Sequence, residues 1–479
     1  MRRRAMGAVL TVFWWVAAAS GLAQAIDAAA AGPGENVAST PAPSASTAEP
    51  AGSTLDFWRR LGDAKLDALM DEMLHANLDL RAAAARLEGA RATRHAAALE
   101  LAPTGEVGAD YVRQRLSPAT FPGGSGTFPD QNIWDVGFDA AWELDVFGRL
   151  RRGVEAQDAF VAASAAGLRD VQVSLGAELA RTYFELRGAQ EQLAVAQRNT
   201  DNQKRTLELT RQRLSAGRGT AFDTERAAAQ LSFTQASIPV LEARVAAAQY
   251  GLGVLVGRSP LALARELKEI APMPAIPAAV PERASDDLIG ARPDVAAAAG
   301  RLRAQTATLG AARAELLPRV SLGGSAGFSA VALDAIGERG TFRYFLGSTI
   351  SWPVIGLGRM KAGVAIASAS EQDARATYQQ TVLRAREEVE ATLVRYRAAR
   401  TRVERIREAA ESGKRAAELA LMRFSDGLAD LLDVLDAERT QLQAEDQLAL
   451  ARTEAATTYA ALFKALGGAW PPAEGDPAP

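Results

Sequence analysis

The stretch Trp142-Glu143-Leu144-Asp145-Val146-Phe147-Gly148-Arg149 returns, altered, as Trp352-Pro353-Val354-Ile355-Gly356-Leu357-Gly358-Arg359. The tryptophans and the Gly-Arg pairs lie 210 residues apart. The same offset relates Arg213 to Arg423, Gly217 to Gly427, Asp223 to Asp433, and Val256-Gly257 to Leu466-Gly467. Upstream the offset is 215, from Asp79 to Asp294, Arg86 to Arg301 and Pro103 to Pro318, so a loop near 115–130 is five residues longer in the first copy. One unit is used twice. This predicts a pseudo-twofold protomer with repeats at 56–270 and 271–470.

Downstream of each Gly-Arg pair the chain reads as helix. No proline occurs between Pro129 and Pro239 or between Pro353 and Pro471, and proline is the strongest helix breaker. One helix is expected from Arg149 to Leu214, its counterpart from Arg359 to Ser425. At ~1.5 Å per residue each spans on the order of 100 Å, too long for a compact globule. The turn Ala216-Gly217-Arg218-Gly219-Thr220 ends the first, with glycine for the left-handed backbone and Thr220 as the next cap. Return helices follow from about Ala221 to Val256, with a kink or break at Pro239, and from Leu428 to Leu466 after Asp426-Gly427. Each repeat opens with a helix, about Ala64 to Leu99 and Arg292 to Leu317. Small residues (Ala162, Ala163, Ala165, Ala166; Ala365, Ala367, Ala369) suit close helix seams. Thin hairpins of this kind need lateral neighbours.

Between the leading and the long helix, each repeat inserts alternating segments. Trp134, Val136, Phe138, Ala140 and Trp142 fall on one face, Asp135, Gly137 and Asp139 on the other. Phe342, Tyr344, Leu346, Ile350 and Trp352 share a face opposite Arg343, Gly347 and Thr349. Weaker partners run from Thr104 to Arg113 and from Arg319 to Phe328. Lengths near ten residues suit tilted membrane strands of ~9–11 residues. Four strands cannot close a barrel, and lipid forbids open edges. Three copies supply twelve strands and six hairpins, so a homotrimer is expected. The fold class is mostly α with a membrane β-barrel: long helical hairpins and four strands per protomer, trimerising into a 12-stranded barrel on an α-helical barrel.

Arg2, Arg3 and Arg4, the apolar run Ala5 to Ala19 and Ala23-Gln24-Ala25 read as a signal peptide over 1–25. An Ala/Pro/Ser-rich linker over 26–55 and a tail over 471–479 complete the organisation. A net charge of −3 gives no general attraction to nucleic acid. There is no cysteine, and His75 and His95 have no metal-ligand spacing, so neither cofactor nor metal is expected. No nucleophile motif or phosphate loop suggests an enzyme, and carboxylates on the long helices read as solvated faces.

Asn77-Leu78-Asp79-Leu80-Arg81, the stretch from Trp142 to Arg149, Arg292-Pro293-Asp294-Val295 and the run Asp430-Leu431-Leu432-Asp433-Val434-Leu435-Asp436-Ala437-Glu438-Arg439 resemble the outer-membrane efflux proteins. These are the TolC/OprM-like outer-membrane factors, and the likeness lies within their NodT-type branch. It covers about Asp56 to Trp470. It implies an outer-membrane exit duct with a long periplasmic extension. A periplasmic membrane-fusion adaptor and an inner-membrane transporter of the resistance-nodulation-division class would dock to it. Many members of the branch carry a lipidated cysteine; that anchor is not expected here. By motif match the periplasmic gate falls on Leu432, Asp436 and Arg439. The repeat aligns Asp436 with Arg226, and the two are expected to pair, directly or across subunits. The turns at Arg213, Gly217, Arg423 and Gly427 are the expected adaptor contacts. An outer-membrane channel for type I protein secretion and a structural periplasmic coiled coil are the alternatives.

Overall fold

The computed structural model describes residues 54–117, 128–277 and 286–468. The expected signal peptide, nearly all of the linker, the tail and most of the longer first-copy loop lie outside the described residues. In chain order the elements are α1 (Thr54–Arg59), α2 (Ala64–Ala76), α3 (Leu78–Leu99), β1 (Thr104–Gln114), β2 (Gln131–Leu144), α4 (Arg149–Ser215), α5 (Ala221–Leu255) and α6 (Pro260–Glu266). Then follow α7 (Asp286–Ala291), α8 (Pro293–Ala314), β3 (Arg319–Ala330), β4 (Phe342–Ser351), α9 (Leu357–Ser425) and α10 (Leu431–Ala465). The long helices carry 67 and 69 residues, their return helices 35 each.

Four details depart from the sequence reading. The first leading helix is two helices, because the Asn77 side chain accepts from the amides of Asp79 and Leu80 at 2.8 and 3.0 Å and caps a new start. Of the kink or break expected at Pro239, the break does not occur, since α5 is continuous through it. Helix α10 begins at Leu431 rather than Leu428, where Asp430 supplies the cap. Thr54 and Leu55 belong to α1, not to the linker.

Two compact units divide the chain across the repeats rather than between them. One contains His95–Glu155 and Ala307–Ala367. Its centre is an antiparallel sheet in the order β1-β2-β3-β4. The register sets Val107 opposite Phe138, Tyr111 opposite Trp134, Val136 opposite Phe328 and Phe328 opposite Phe342, so the apolar sides of all four strands share one face. Tyr344, Leu346 and Ile350 on that face are more than 70% exposed. On the opposite face Gly108, Gly137 and Gly327 lie in one row. A methyl group on Gly327 would meet Gly137 Cα at 2.6 Å. Beside that row Arg343 reaches from β4 past β3 to Asp135 on β2, donating from Nε at 2.9 Å.

The Trp142–Arg149 stretch joins this sheet to α4. Trp142 Nε1 donates to the Leu101 carbonyl at 2.8 Å, and Trp352 repeats the bond to Leu316 at 3.2 Å. Glu143 takes a two-armed bond from Arg149, and Asp145 accepts the amides of Leu150 and Arg151 at 3.0 and 2.9 Å, capping the helix. In the second copy Pro353 and Ile355 replace both acids, and a 3-10 turn at Val354–Gly356 feeds α9 instead.

The other unit is helical and contains Ala156–Thr306 and Ser368 onward, with the leading helices up to Arg94. Its main core gathers Trp58, Tyr183, Phe184, Tyr396, Tyr459 and Phe463, each at most 2% exposed. Rings of this size contribute ~1.5–3 kcal/mol apiece on burial. The repeat recurs here in hydrogen bonds. Asn77 donates to the Leu255 carbonyl at 2.7 Å, and Arg292, its equivalent, donates to Ala465. Gly257 and Gly467 close those helices at φ of 73° and 71°. Of the expected small-residue seam, Ala163 and Ala367 are buried, and Ala163 sits against Gly300, where a methyl group would meet it at 2.9 Å. Ala162, Ala365 and Ala369 remain exposed in the single chain.

Candidate functional site

The region of interest is where α4 turns into α5 and α9 into α10. Both turns use one backbone solution. Gly217 and Gly427 take φ of 71° and 75°, and the following amides bond back to the carbonyls of Arg213 and Arg423 at 2.9 and 2.8 Å. Thr220 and Asp223 then form a reciprocal capping box, each amide bonded to the other's side chain at 3.2 Å. Beneath the turns Leu207, Ala227, Phe424, Leu431, Val434 and Leu435 form a small separate cluster.

The expected gate residues share one stripe of α10. Leu432, Asp436 and Arg439 are spaced i, i+4, i+7, which puts them on one helical face. All three are exposed. The opposing stripe, Leu431, Val434, Leu435 and Glu438, is buried. Within one chain Asp436 does not pair with Arg226. It accepts from Arg439 at 2.6 Å, while Arg226 lies 5.5 Å from the centre of the Phe222 ring.

The two turn arginines differ. Arg213 crosses to the second copy: Nη2 donates to the Phe424 carbonyl and to Ser425 at 3.4 Å, and its guanidinium stacks 3.9 Å from the centre of the Phe424 ring. A cation at a helix C-terminus and a cation over an aromatic face are both favourable. Arg213 therefore ties the two turns together, a contact the sequence did not disclose. Arg423, its equivalent, is exposed.

Above the turns α4 and α10 meet along polar side chains. Gln192 donates to Asp446 at 2.6 Å, Asn199 to Glu445 at 3.4 Å, and Thr206 to Glu438 at 2.6 Å. Glu438 is 6% exposed, which overturns its reading as a solvated charge. Burial pushes its carboxyl above the ordinary range, partly offset by the Thr206 hydrogen bond. Among the described residues no group of three His, Cys, Asp or Glu is placed to hold a metal, and no helix is long and apolar enough to cross a membrane.

The sequence profile of the family described as outer membrane efflux protein matches residues 69–258 and 284–468. The chain belongs to that family. It is 30% identical to the pyoverdine export outer membrane protein OpmQ of Pseudomonas putida, over 86% of this chain and 88% of the relative. It is also 30% identical to the solvent efflux pump outer membrane protein SrpC of Pseudomonas putida, over 85% and 86%. The outer-membrane channel OprN superposes with a TM-score of 0.82 and 37% identity, covering 92% of this chain and 99% of that one. A mostly helical chain with a small antiparallel sheet is thus the fold of an outer-membrane efflux protein. The chain is an efflux component of the outer membrane and serves as the exit duct.

Proposed function

We propose that three copies close into a 12-stranded β-barrel on an α-helical barrel and pass small toxic compounds out of the cell. The observation that carries this reading is the sheet: one continuous, exposed apolar face and two edge strands, β1 and β4. A lipid-facing sheet needs partners at both edges, and β4 of one copy beside β1 of the next supplies them. The 210-residue offset supports the same closure among the helices. The contact of α4 with α10 inside one chain maps onto a contact of α9 with α5 of a neighbouring copy. Arg423 then does for the neighbour's Leu214 and Ser215 carbonyls what Arg213 does for Phe424 and Ser425.

In that trimer Leu432, Asp436 and Arg439 form three rings near the periplasmic end, an apolar one that resists wetting and two charged ones. Arg226 of an adjacent hairpin is a candidate cross-subunit partner for Asp436. The turns at Gly217 and Gly427 are the adaptor contacts, and Arg213 and Arg423 hold their shape. A periplasmic membrane-fusion adaptor and a resistance-nodulation-division transporter complete the pump. The duct itself performs no catalysis. OpmQ and SrpC are named for export of pyoverdine and of solvents, which favours small-molecule efflux over type I protein secretion. Single-channel conductance in a planar bilayer tests the reading. Wild type should show a small stable conductance that rises in Asp436→Ala. Absence of conductance from both proteins would discard the duct, and equal conductance would discard the gate.

A further inference from the structure

Glu438 occupies a position that helix periodicity reserves for an apolar residue. It continues the buried stripe of Leu431, Val434 and Leu435, one residue from the exposed Arg439 and two from Asp436. One carboxyl oxygen takes the Thr206 hydroxyl at 2.6 Å, and the other is buried without a partner. On α4, Gln203 and Thr200 are buried beside Thr206 in sequence, and both amide atoms of Gln203 and the Thr200 hydroxyl also lack partners. A buried polar group left without a partner is destabilising.

Helix packing does not require these residue types. At the equivalent depth of the other copy, Thr200, Gln203, Thr206 and Glu438 are replaced by Ala410, Gly413, Ala416 and Ala228. The polar seam therefore breaks the repeat at one of its two hairpin junctions, and it does so on the helix that carries the gate stripe.

We propose that Glu438 is a proton-operated latch on the α4–α10 seam: protonated, it seats in the seam and holds the gate stripe closed; ionised, it loosens the seam and favours opening. The proposal rests on the gate reading given above. The carboxyl has no counter-charge to hold it when ionised. From α4 the side chain in contact is Thr206, and the buried residues on either side of it, Gln203 and Leu207, are also uncharged. On α9 the buried stripe at this depth is Gly413 and Ala417. Helix α5, which adds Ala227 to the cluster of Leu431, Val434 and Leu435, and the two other helices carry their nearby charges, Asp201, Lys204, Arg205, Glu208, Glu225, Arg226, Lys414, Arg415 and Glu418, on exposed positions. Burial and Thr206 alone shift Glu438, and the net direction is upward. A carboxyl whose pKa is raised in the closed state binds its proton more tightly there than in the open state. The closed state is then favoured at low pH and loses that advantage as pH rises above the ordinary carboxylate range.

The test is bilayer conductance of the full-length trimer from about pH 5 to about pH 8, a window above the ordinary glutamate pKa. Wild-type open probability should rise with pH, by about tenfold for each unit separating the closed-state and open-state pKa values. Glu438→Gln keeps the shape and the Thr206 bond but cannot ionise, so its conductance should stay low and flat. Thr206→Val removes the bond that favours the ionised form and should make the rise larger and carry it to higher pH, an effect that loss of packing alone does not predict. A wild-type conductance independent of pH, or a rise that persists unchanged in Glu438→Gln, overturns the latch. If Asp436→Ala still raises conductance in those same preparations, the gate stands and the latch alone falls. If it does not, the gate reading has failed as well.

Discussion

Two of the hydrophobic clusters in the helical unit, the main core and the one under the turns, are built for different purposes. The main core stacks Phe57, Trp58, Tyr459 and Phe463, with Phe463 only 4.6 and 4.8 Å from the first two ring centres. The cluster under the turns has one aromatic ring, Phe424, and closes with a cation over it. Helices α1 to α3, both long helices and both return helices contribute to the first; a few helix-end residues make up the second. Stability is thus concentrated in one cluster and withheld from the one beside the proposed gate. Local opening draws on segments of low local stability, and the turns meet that description.

The sharpest way to break this contrast is at the thick core. Phe463→Ala should cost about 3–5 kcal/mol, the usual price of emptying a buried aromatic site. Folded protein recovered from the membrane should fall sharply, and the thermal midpoint with it. An equal loss from Phe424→Ala would refute the contrast, since that ring sits in a small cluster bounded by solvent.

Next in size is Arg292→Met. Arg292 is buried, with bonds to Asp294 and Glu388 at 2.8 Å and to the Ala465 carbonyl. Both carboxylates are partly exposed, so the loss should be smaller than for a sealed ion pair, about 2 kcal/mol. Burial alone raises the Asp294 carboxyl, but the Arg292 bonds and charge outweigh it and hold it below its ordinary value. A depressed carboxylate stabilises the fold above its unfolded pKa and loses that contribution as pH falls through the lowered folded value. Wild-type melting temperature should therefore drop in acid below about pH 4, where unperturbed Asp titrates. Arg292→Met should show a lower midpoint at neutral pH and a shallower acid decline.

What the sequence disclosed follows the same division. The long helices, both turns, the Thr220 cap and the four strands are dictated by local features: absent prolines, glycines at helix ends, period-two alternation. These were legible to within a few residues. The Asn77 cap had a local signal too, but the apolar pattern runs straight through it and concealed the break. Pro239 does not break α5, because a proline removes a single backbone bond from a helix of 35 residues. The tie from Arg213 to Phe424 spans 211 residues, and nothing around either residue announces it. Glu438 was hidden differently. A glutamate on a charged helix reads as solvated, yet its spacing from Leu431, Val434 and Leu435 had already placed it on the buried stripe.

Arg213→Ala sharpens the comparison at the turns. It removes a cation from a helix C-terminus and from an aromatic face, together about 1–2 kcal/mol. That is too little to unfold a protein anchored by the main core, and enough to loosen the turns. Expression and melting should change little while resting conductance rises. Arg423→Ala has no equivalent contact within the chain to lose. Any rise in conductance it causes measures the proposed contact with a neighbouring copy, and it should be accompanied by easier dissociation of the trimer in detergent.

The smallest stability effect belongs to Asp436→Ala. Asp436 and Arg439 are 60% and 67% exposed, one helical turn apart, and an exposed pair of this kind contributes about 0–1 kcal/mol. The melting temperature should stay within the error of measurement even though the substitution falls among the expected gate residues. That near-silence makes the variant useful. A substitution at the main core alters conductance only by damaging the fold, so function and stability decline together. Asp436→Ala should separate them, leaving the trimer intact and raising the current through it. A parallel fall in both would mean that the α10 stripe is held by the same interactions as the core, and that the division between the two clusters does not describe how this duct works.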